Sequence, residues 1–276
     1  MVTRTEALPH ISTTTADPGT ITPALSLWWR EVVRFYRNRS RVIGVIASPL
    51  LFWIVMGSGF GRSFRLAGGP SQNYLEFFFV GALTMIVLFT AIFTMMSVIE
   101  DRNEGFLLSV LVAPVSRSVI VLGKVLGGTT LAAGQGLLFL VFAPLVGIHL
   151  TVVSFLLTVV TVFLIAFSLT ALGFAIAWPM DSTQAFHAII NLFLIPLWLL
   201  SGALFPLSGA SSWIGFLMRI NPLTYGTEAL RALLFPATAA PEFPVYQSMG
   251  ILAGFTVVMF GIAFAIANRR TTKPAA

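Results

Sequence analysis

The chain has 276 residues, of which 57% are hydrophobic and only 9% charged, against roughly 45–50% and about 25% in an average soluble domain. This excludes an ordinary soluble fold. The net charge of +6 does not indicate nucleic acid either, because the polar surface that carries a nucleic-acid binder's basic residues is missing. With no cysteine, disulfides, thiolate metal sites and thiol nucleophiles are excluded.

Residues 1–24 are rich in Thr and Pro and lack the apolar core of a signal peptide, so a disordered tail is expected. Leu25, Trp28, Trp29, Val32, Val33 and Tyr36 then recur at helical spacing, with Arg30, Arg34, Arg37 and Arg41 on another face. Such a cationic helix lies in the membrane interface, its apolar face in the acyl boundary and its arginines toward anionic lipid headgroups. Docking of a cytoplasmic partner on the same helix is compatible with that placement.

Six segments, residues 42–60, 77–99, 125–148, 150–178, 186–205 and 249–267, contain no Asp, Glu, Lys or Arg. A helix needs about 20 mainly apolar residues to cross the hydrocarbon core, so each segment is long enough. The pattern predicts an all-α membrane protein with six transmembrane helices. Between Ser118 and Trp178 the only charge is Lys124; one helix cannot be that long, so two spans must meet in a tight turn near Pro144, Gly147 and His149. An even number of spans puts both termini on one side. That side carries Arg4, the arginines from 30 to 41, Arg102, Arg117, Lys124, Arg269, Arg270 and Lys273, whereas the other carries Arg62, Arg65, Arg219 and Arg231. By the positive-inside bias both termini are expected in the cytoplasm of a cell, with the chain multi-pass in the plasma or inner membrane.

Two connections stand out. Residues 100–117 open with Glu100, Asp101, Arg102 and Glu104, pass through Gly105, Phe106 and Leu107, and break at Pro114 before Arg117. The apolar stretch is too short to span, so it must be buried against the bundle or against another protein. Between the fifth and sixth spans, Asn221-Pro222 reads as a helix N-cap followed by Pro at the first helical position. Leu223, Gly226, Leu230, Leu233 and Leu234 mark one face of that helix, with Glu228 and Arg231 as an i, i+3 pair. Short amphipathic helices re-entering the outer leaflet are expected over residues 207–235.

No phosphate-binding loop exists, since Gly123-Lys124 is followed by Val125. No metal-ligand or catalytic pairing of His10, His149 or His187 is visible, and charge-free spans argue against an ion-coupled carrier. The spacings Gly57/Gly61 and Gly123/Gly127 read as helix-packing contacts.

In residues 100–117, in Gly123-Lys124, and in Asn221-Pro222-Leu223-Thr224-Tyr225 with Ala229-Leu230-Arg231, the chain resembles the ABC-2 family of exporter permeases. The resemblance covers residues 25–270 and leaves 271–276 as a C-terminal tail. It implies a permease that works as a homodimer or heterodimer, each copy docked on a nucleotide-binding ATPase subunit. ATP and Mg would reside there, with no cofactor or metal in this chain and no ATPase activity of its own. Glu100, Asp101, Arg102, Glu104, Gly105, Phe106, Leu107, Pro114 and Arg117 would form the coupling element to the ATPase. Asn221, Pro222, Tyr225, Glu228 and Arg231 would form the outer gate. Family members include antibiotic and multidrug exporters of the daunorubicin-resistance type, and permeases for polysaccharide or lipid-linked sugar. A charge-free interior favours an apolar or amphipathic compound over an ionised sugar phosphate, and Phe78, Phe89 and Phe93 could supply an apolar cavity wall. A membrane enzyme and a non-transporting scaffold are the competing readings.

Overall fold

A computed structural model describes residues 21–37, 39–60, 74–112, 116–236 and 241–269. Among them every regular element is helical. In chain order these are α1 (Ile21–Arg37), α2 (Arg39–Phe60), α3 (Tyr74–Thr94), α4 (Met96–Asn103), α5 (Phe106–Val112) and α6 (Arg117–Phe139), then α7 (Val152–Ala177), α8 (Thr183–Trp198), α9 (Ser212–Ile220), α10 (Pro222–Leu234) and α11 (Val245–Asn268). The tail reading falls largely on residues outside those described, and α1 already begins at Ile21, ahead of the boundary at residue 25.

Five described stretches are long and apolar enough to cross a membrane: Tyr74–Asn103, Arg117–Val146, Val152–Ala177, Thr183–Ala203 and Val245–Asn268. The first segment expected to span falls on α2, whose apolar part, Ala47–Phe60, is shorter. Internal hydrogen bonding of the backbone is the reason helices are used throughout, since hydrocarbon offers no partner to a free N–H or C=O.

The α3–α4 rod is the hub, 83% buried over its apolar window, whereas α11 at the edge is only 17% buried. It touches α2, α6, α7, α8 and α10, and α11 packs on α7 and α10. The bend between the third and fourth expected spans lies where Pro144 and Gly147 stand. After α6 a tighter helical run, Leu140–Val146, ends at Gly147 in the left-handed region (φ 71°), a conformation glycine adopts without strain. Thr151 then caps α7, its side chain accepting from the Ser154 N–H.

Candidate functional site

The ionised groups gather at two ends of the bundle. At the near end, α1 lies across α6. A Cβ on Gly123 would come within 2.7 Å of Leu27 Cβ, and one on Gly127 within 2.7 Å of Glu31 Cβ, so the absence of side chains there is what permits this close approach. The contact has three consequences for α1. Ala24, Leu27, Glu31 and Phe35 face the bundle and are buried. Leu25, Trp29, Val33 and Tyr36 remain exposed on another side. Arg30 and Arg34 turn toward α4, which corrects the expectation that they face headgroups: carboxylates of the same chain already hold them. Arg37 is exposed; the side chain of Arg41 lies outside the described residues.

At the centre is Lys124, 1% exposed. Its Nζ donates to Glu31 Oε1 at 2.6 Å, to Ser97 Oγ at 3.1 Å and to Asp101 Oδ2. Ser97 in turn donates to Glu31 Oε2 at 2.7 Å. Asp101, fully buried, also accepts from Arg30 at 2.7 and 2.8 Å and from Arg34 at 2.7 Å. Arg34 reaches on to Glu100 at 2.8 Å and Glu104 at 3.4 Å. Every buried charge thus has opposite charges and hydrogen bonds around it, the condition under which burial is tolerated. Hydrogen bonding to Asp101 raises the Arg30 guanidinium above its ordinary pKa, so this cation stays charged.

The same cluster fixes α5. Gly105 at φ 78° ends α4 and turns the chain. The Arg30 guanidinium then lies 3.6 Å from the centroid of the Phe106 ring, a cation–π contact, and Leu107 is buried at 4%. Leu108 and Val112 stay 63% and 87% exposed. Among the nine expected coupling residues, Asp101 and Leu107 are buried by their own chain and Phe106 is half-buried. Glu100 and Glu104 bond Arg34, while Arg102 reaches the carbonyls of Trp178 and Met180 and the Asp181 carboxylate. Arg117 donates to the carbonyls of Ala267 and Arg269. Pro114 lies outside the described residues.

At the far end, α8 unwinds into a π-turn, Leu199–Ala203, with Gly202 at φ 80°. Its last carbonyls need partners, and α10 supplies them from side chains. Asn221 Nδ2 donates to Leu197 O at 2.7 Å, Thr224 Oγ1 to Leu200 O at 3.1 Å, and Arg231 to Gly202 O at 2.8 Å. Asn221 Oδ1 meanwhile accepts from the Leu223 N–H, with Pro222 at the first helical position. The Arg231–Glu228 pair closes at 2.7 Å with both side chains buried, and the guanidinium lies over the Phe77 ring. Tyr225 donates to Arg219 O at 2.8 Å. The five residues expected at the gate are thus brought into one assembly that ties α9 and α10 to the end of α8.

The three candidate wall phenylalanines separate. Phe78 is fully buried among Phe52, Tyr74 and Trp198, so packing against neighbouring rings removes it from any cavity wall. Phe89 and Phe93 remain partly exposed and touch each other. Glu31, Ser97 and Lys124 are the residues that sequence reasoning did not assign to a site. Two signals point to them: Lys124 is the one charge in a long apolar stretch, and Glu31 is the one acid on a basic helix.

Comparison with known proteins gives a family model described as ABC-2 type transporter, matching residues 23–235. The chain is 30% identical to the transport permease ycf38 of Cyanophora paradoxa over 74% of this chain and 71% of that protein. It is 25% identical to nodulation protein J of Rhizobium leguminosarum bv. trifolii over 94% and 98% of the two chains. To the inner membrane transport permease YadH of Escherichia coli K12 it is 26% identical over 88% and 94%. With the model covering most of its length, the chain belongs to the ABC-2 type transporter family of multi-pass membrane permeases, which implies an ABC ATPase partner.

Proposed function

We infer that this chain is the permease subunit of an ATP-driven exporter of apolar or amphipathic compounds, with the near end and both termini in the cytoplasm. Two copies form the membrane unit, and each docks a separate ABC ATPase that holds ATP and Mg. The observation that carries this reading is α5. It is too short to span, its root is clamped by Leu107 and by Phe106 beneath Arg30, and it presents Leu108 and Val112 outward. An apolar face at the charged end of a membrane bundle asks for a protein cover. A helix clamped to α1 and α4 in this way would transmit a push from that cover to both.

The test is Leu108→Asp with Val112→Asp, which places two carboxylates in the expected contact without touching the clamp. The permease should reach the membrane at normal abundance, lose its ATPase in pull-down and stop exporting. Burying an unpaired charge there costs several kcal/mol, by the order-of-magnitude scale for such groups. Normal retention and export by the double variant would remove α5 from the coupling role.

A further inference from the structure

One flank of the bundle is left unfilled. α11 packs on α7 and α10 and scarcely meets α8, and the gap between them is a cavity of about 240 Å³. Its floor is made by Ser168 and Leu169 of α7, Leu223 of α10 and Leu252 of α11, all buried. Its rim, with Leu172, Leu197, Pro222, Phe255 and Met259, is only half-buried, so the cavity opens sideways between membrane-crossing helices. The Ser168 hydroxyl already donates to Ile165 O at 3.0 Å, and no other polar side chain lines the wall. A buried water needs two to four polar partners, so water does not fill this space. Hydrocarbon is what the mouth meets in a bilayer, and an empty void forfeits the packing contacts of its lining.

Depth and charge select the occupant. Leu252 and Met259 stand about 10 and 21 Å along α11 from its start at Val245, at 1.5 Å per residue. One leaflet's hydrocarbon is about 15 Å deep, half of the roughly 30 Å core, so a chain rooted at the start of α11 reaches the cavity. A cation stands at that root. Pro222 on the rim and Tyr225 share a face of α10, and Tyr225 donates to Arg219 O at 2.8 Å. The Arg219 guanidinium approaches Glu242, just ahead of α11, at 3.9 Å. Its side chain is 64% exposed, and with five N–H donors it has several left for a phosphate.

We propose that the cavity holds one acyl chain of a resident phospholipid of the far leaflet, whose phosphate is bound by Arg219. The acyl chain packs against Pro222 and Leu223 and braces the tip of the α9–α10 hairpin, where Asn221 is bonded to Leu197 O. The lipid is part of the folded permease and stays in place through turnover, whatever the chain exports. A second copy of the chain is the other occupant to weigh. A helix with its side chains is about 10–12 Å across, too wide to enter a recess of this volume, so it would cover the mouth and leave the floor empty.

The experiment uses the full chain with its co-purifying ATPase, stripped of loosely held lipid in detergent and weighed by native mass spectrometry. The probes are palmitoyl-oleoyl phosphatidylglycerol and the matching diacylglycerol, which has the same chains and no phosphate. One tightly held phosphatidylglycerol per copy of the chain is expected, equally with and without ATP. Leu172→Trp with Met259→Trp, which fills the mouth from its lipid side, should weaken both probes at least about tenfold. Arg219→Gln should weaken phosphatidylglycerol about tenfold and diacylglycerol less than about twofold; being at an exposed site, it decides the matter even where the filled variant fails to assemble. Val258→Trp, on the exposed side of α11, should change neither. No tight lipid on the wild type, unchanged binding by the filled variant, or an Arg219→Gln variant that treats the two probes alike would overturn the site. So would a lipid released by ATP, which is cargo, or a filled variant that keeps its lipid but separates into single copies, because the mouth would then be a contact between copies. Absence of a P-loop ATPase from the purified complex breaks the permease reading by itself, whatever the probes do.

Discussion

Asp101 at the near end is held by three cations, Arg30, Arg34 and Lys124, whereas Glu228 at the far end has, among the described residues, Arg231 and one backbone N–H, that of Glu242. Both carboxylates are buried, and both need compensation to stay ionised. The near cluster joins three separate helices, α1, α4 and α6, and its charges substitute for one another in part. The far pair sits on one helix and secures it to the end of another through Gly202 O. Shared compensation suits an element that must remain locked while force passes through it. A single pair suits an element released by one event, and this difference predicts how each end fails.

The largest effect is expected at the far end. Arg231→Met leaves Glu228 buried with a single N–H, and breaking a buried pair from one side costs about 3–5 kcal/mol. It also deprives Gly202 O of its donor. Heating the detergent-purified variant should show a large drop in the temperature at which the monodisperse peak is lost. Adding Glu228→Gln should recover much of the drop, since removing both charges leaves no isolated ion. If the double variant is no better than Arg231→Met alone, the pair is not an isolated unit and the contrast between the ends is lost.

Lys124→Met comes next, at about 3 kcal/mol, the lower edge of the range for a broken buried pair. Asp101 keeps both arginines, and Glu31 keeps Ser97 and an approach of 3.6 Å from Arg30. Because the chain has no cysteine, a Leu27→Cys reporter under α1 can read this directly with a maleimide. Leu27 is 7% exposed against Gly123, so labelling is slow while α1 is docked. Lys124→Met should accelerate it by one to two orders of magnitude, about 1.4 kcal/mol corresponding to each factor of ten. Unchanged labelling would mean that α1 is held by its glycine contacts alone.

The far end was largely legible in the sequence and the near end was not, for a physical reason. The Asn221 cap, the Pro222 start and the Glu228–Arg231 pair are local patterns a few residues apart, and a helix dictates what such spacings mean. The apolar helices were legible because the membrane imposes its length and charge rule one segment at a time. The near cluster depends instead on which side of α1 meets α6, a contact between residues far apart in the chain. Glu31 was invisible as a partner of Lys124 until Gly123 and Gly127 brought the two helices together. The acidic run at 100–104 likewise looked like a surface for a partner, and only the position of α1 turns Asp101 inward.

The smallest effect separates shared compensation from a chain of independent pairs. Arg34 is, with Arg30, one of the two partly exposed cations that touch Asp101, its side chain 29% exposed, and it alone also bonds Glu100 and Glu104, which are 25% and 60% exposed. Arg34→Gln removes one bond to Asp101, which retains Arg30 and Lys124, and frees two carboxylates that water can reach. Exposed and half-exposed pairs are worth up to about 1 kcal/mol, so the Leu27→Cys reporter should label only a few-fold faster. That increment should shrink as salt is raised, since screening acts within about 10 Å at 0.1 M ionic strength. The Lys124→Met increment, arising in a site that excludes water, should hardly respond to salt. An Arg34→Gln effect as large as that of Lys124→Met and equally indifferent to salt would mean that the load at Asp101 is not shared, and that the near end, like the far one, depends on each of its pairs.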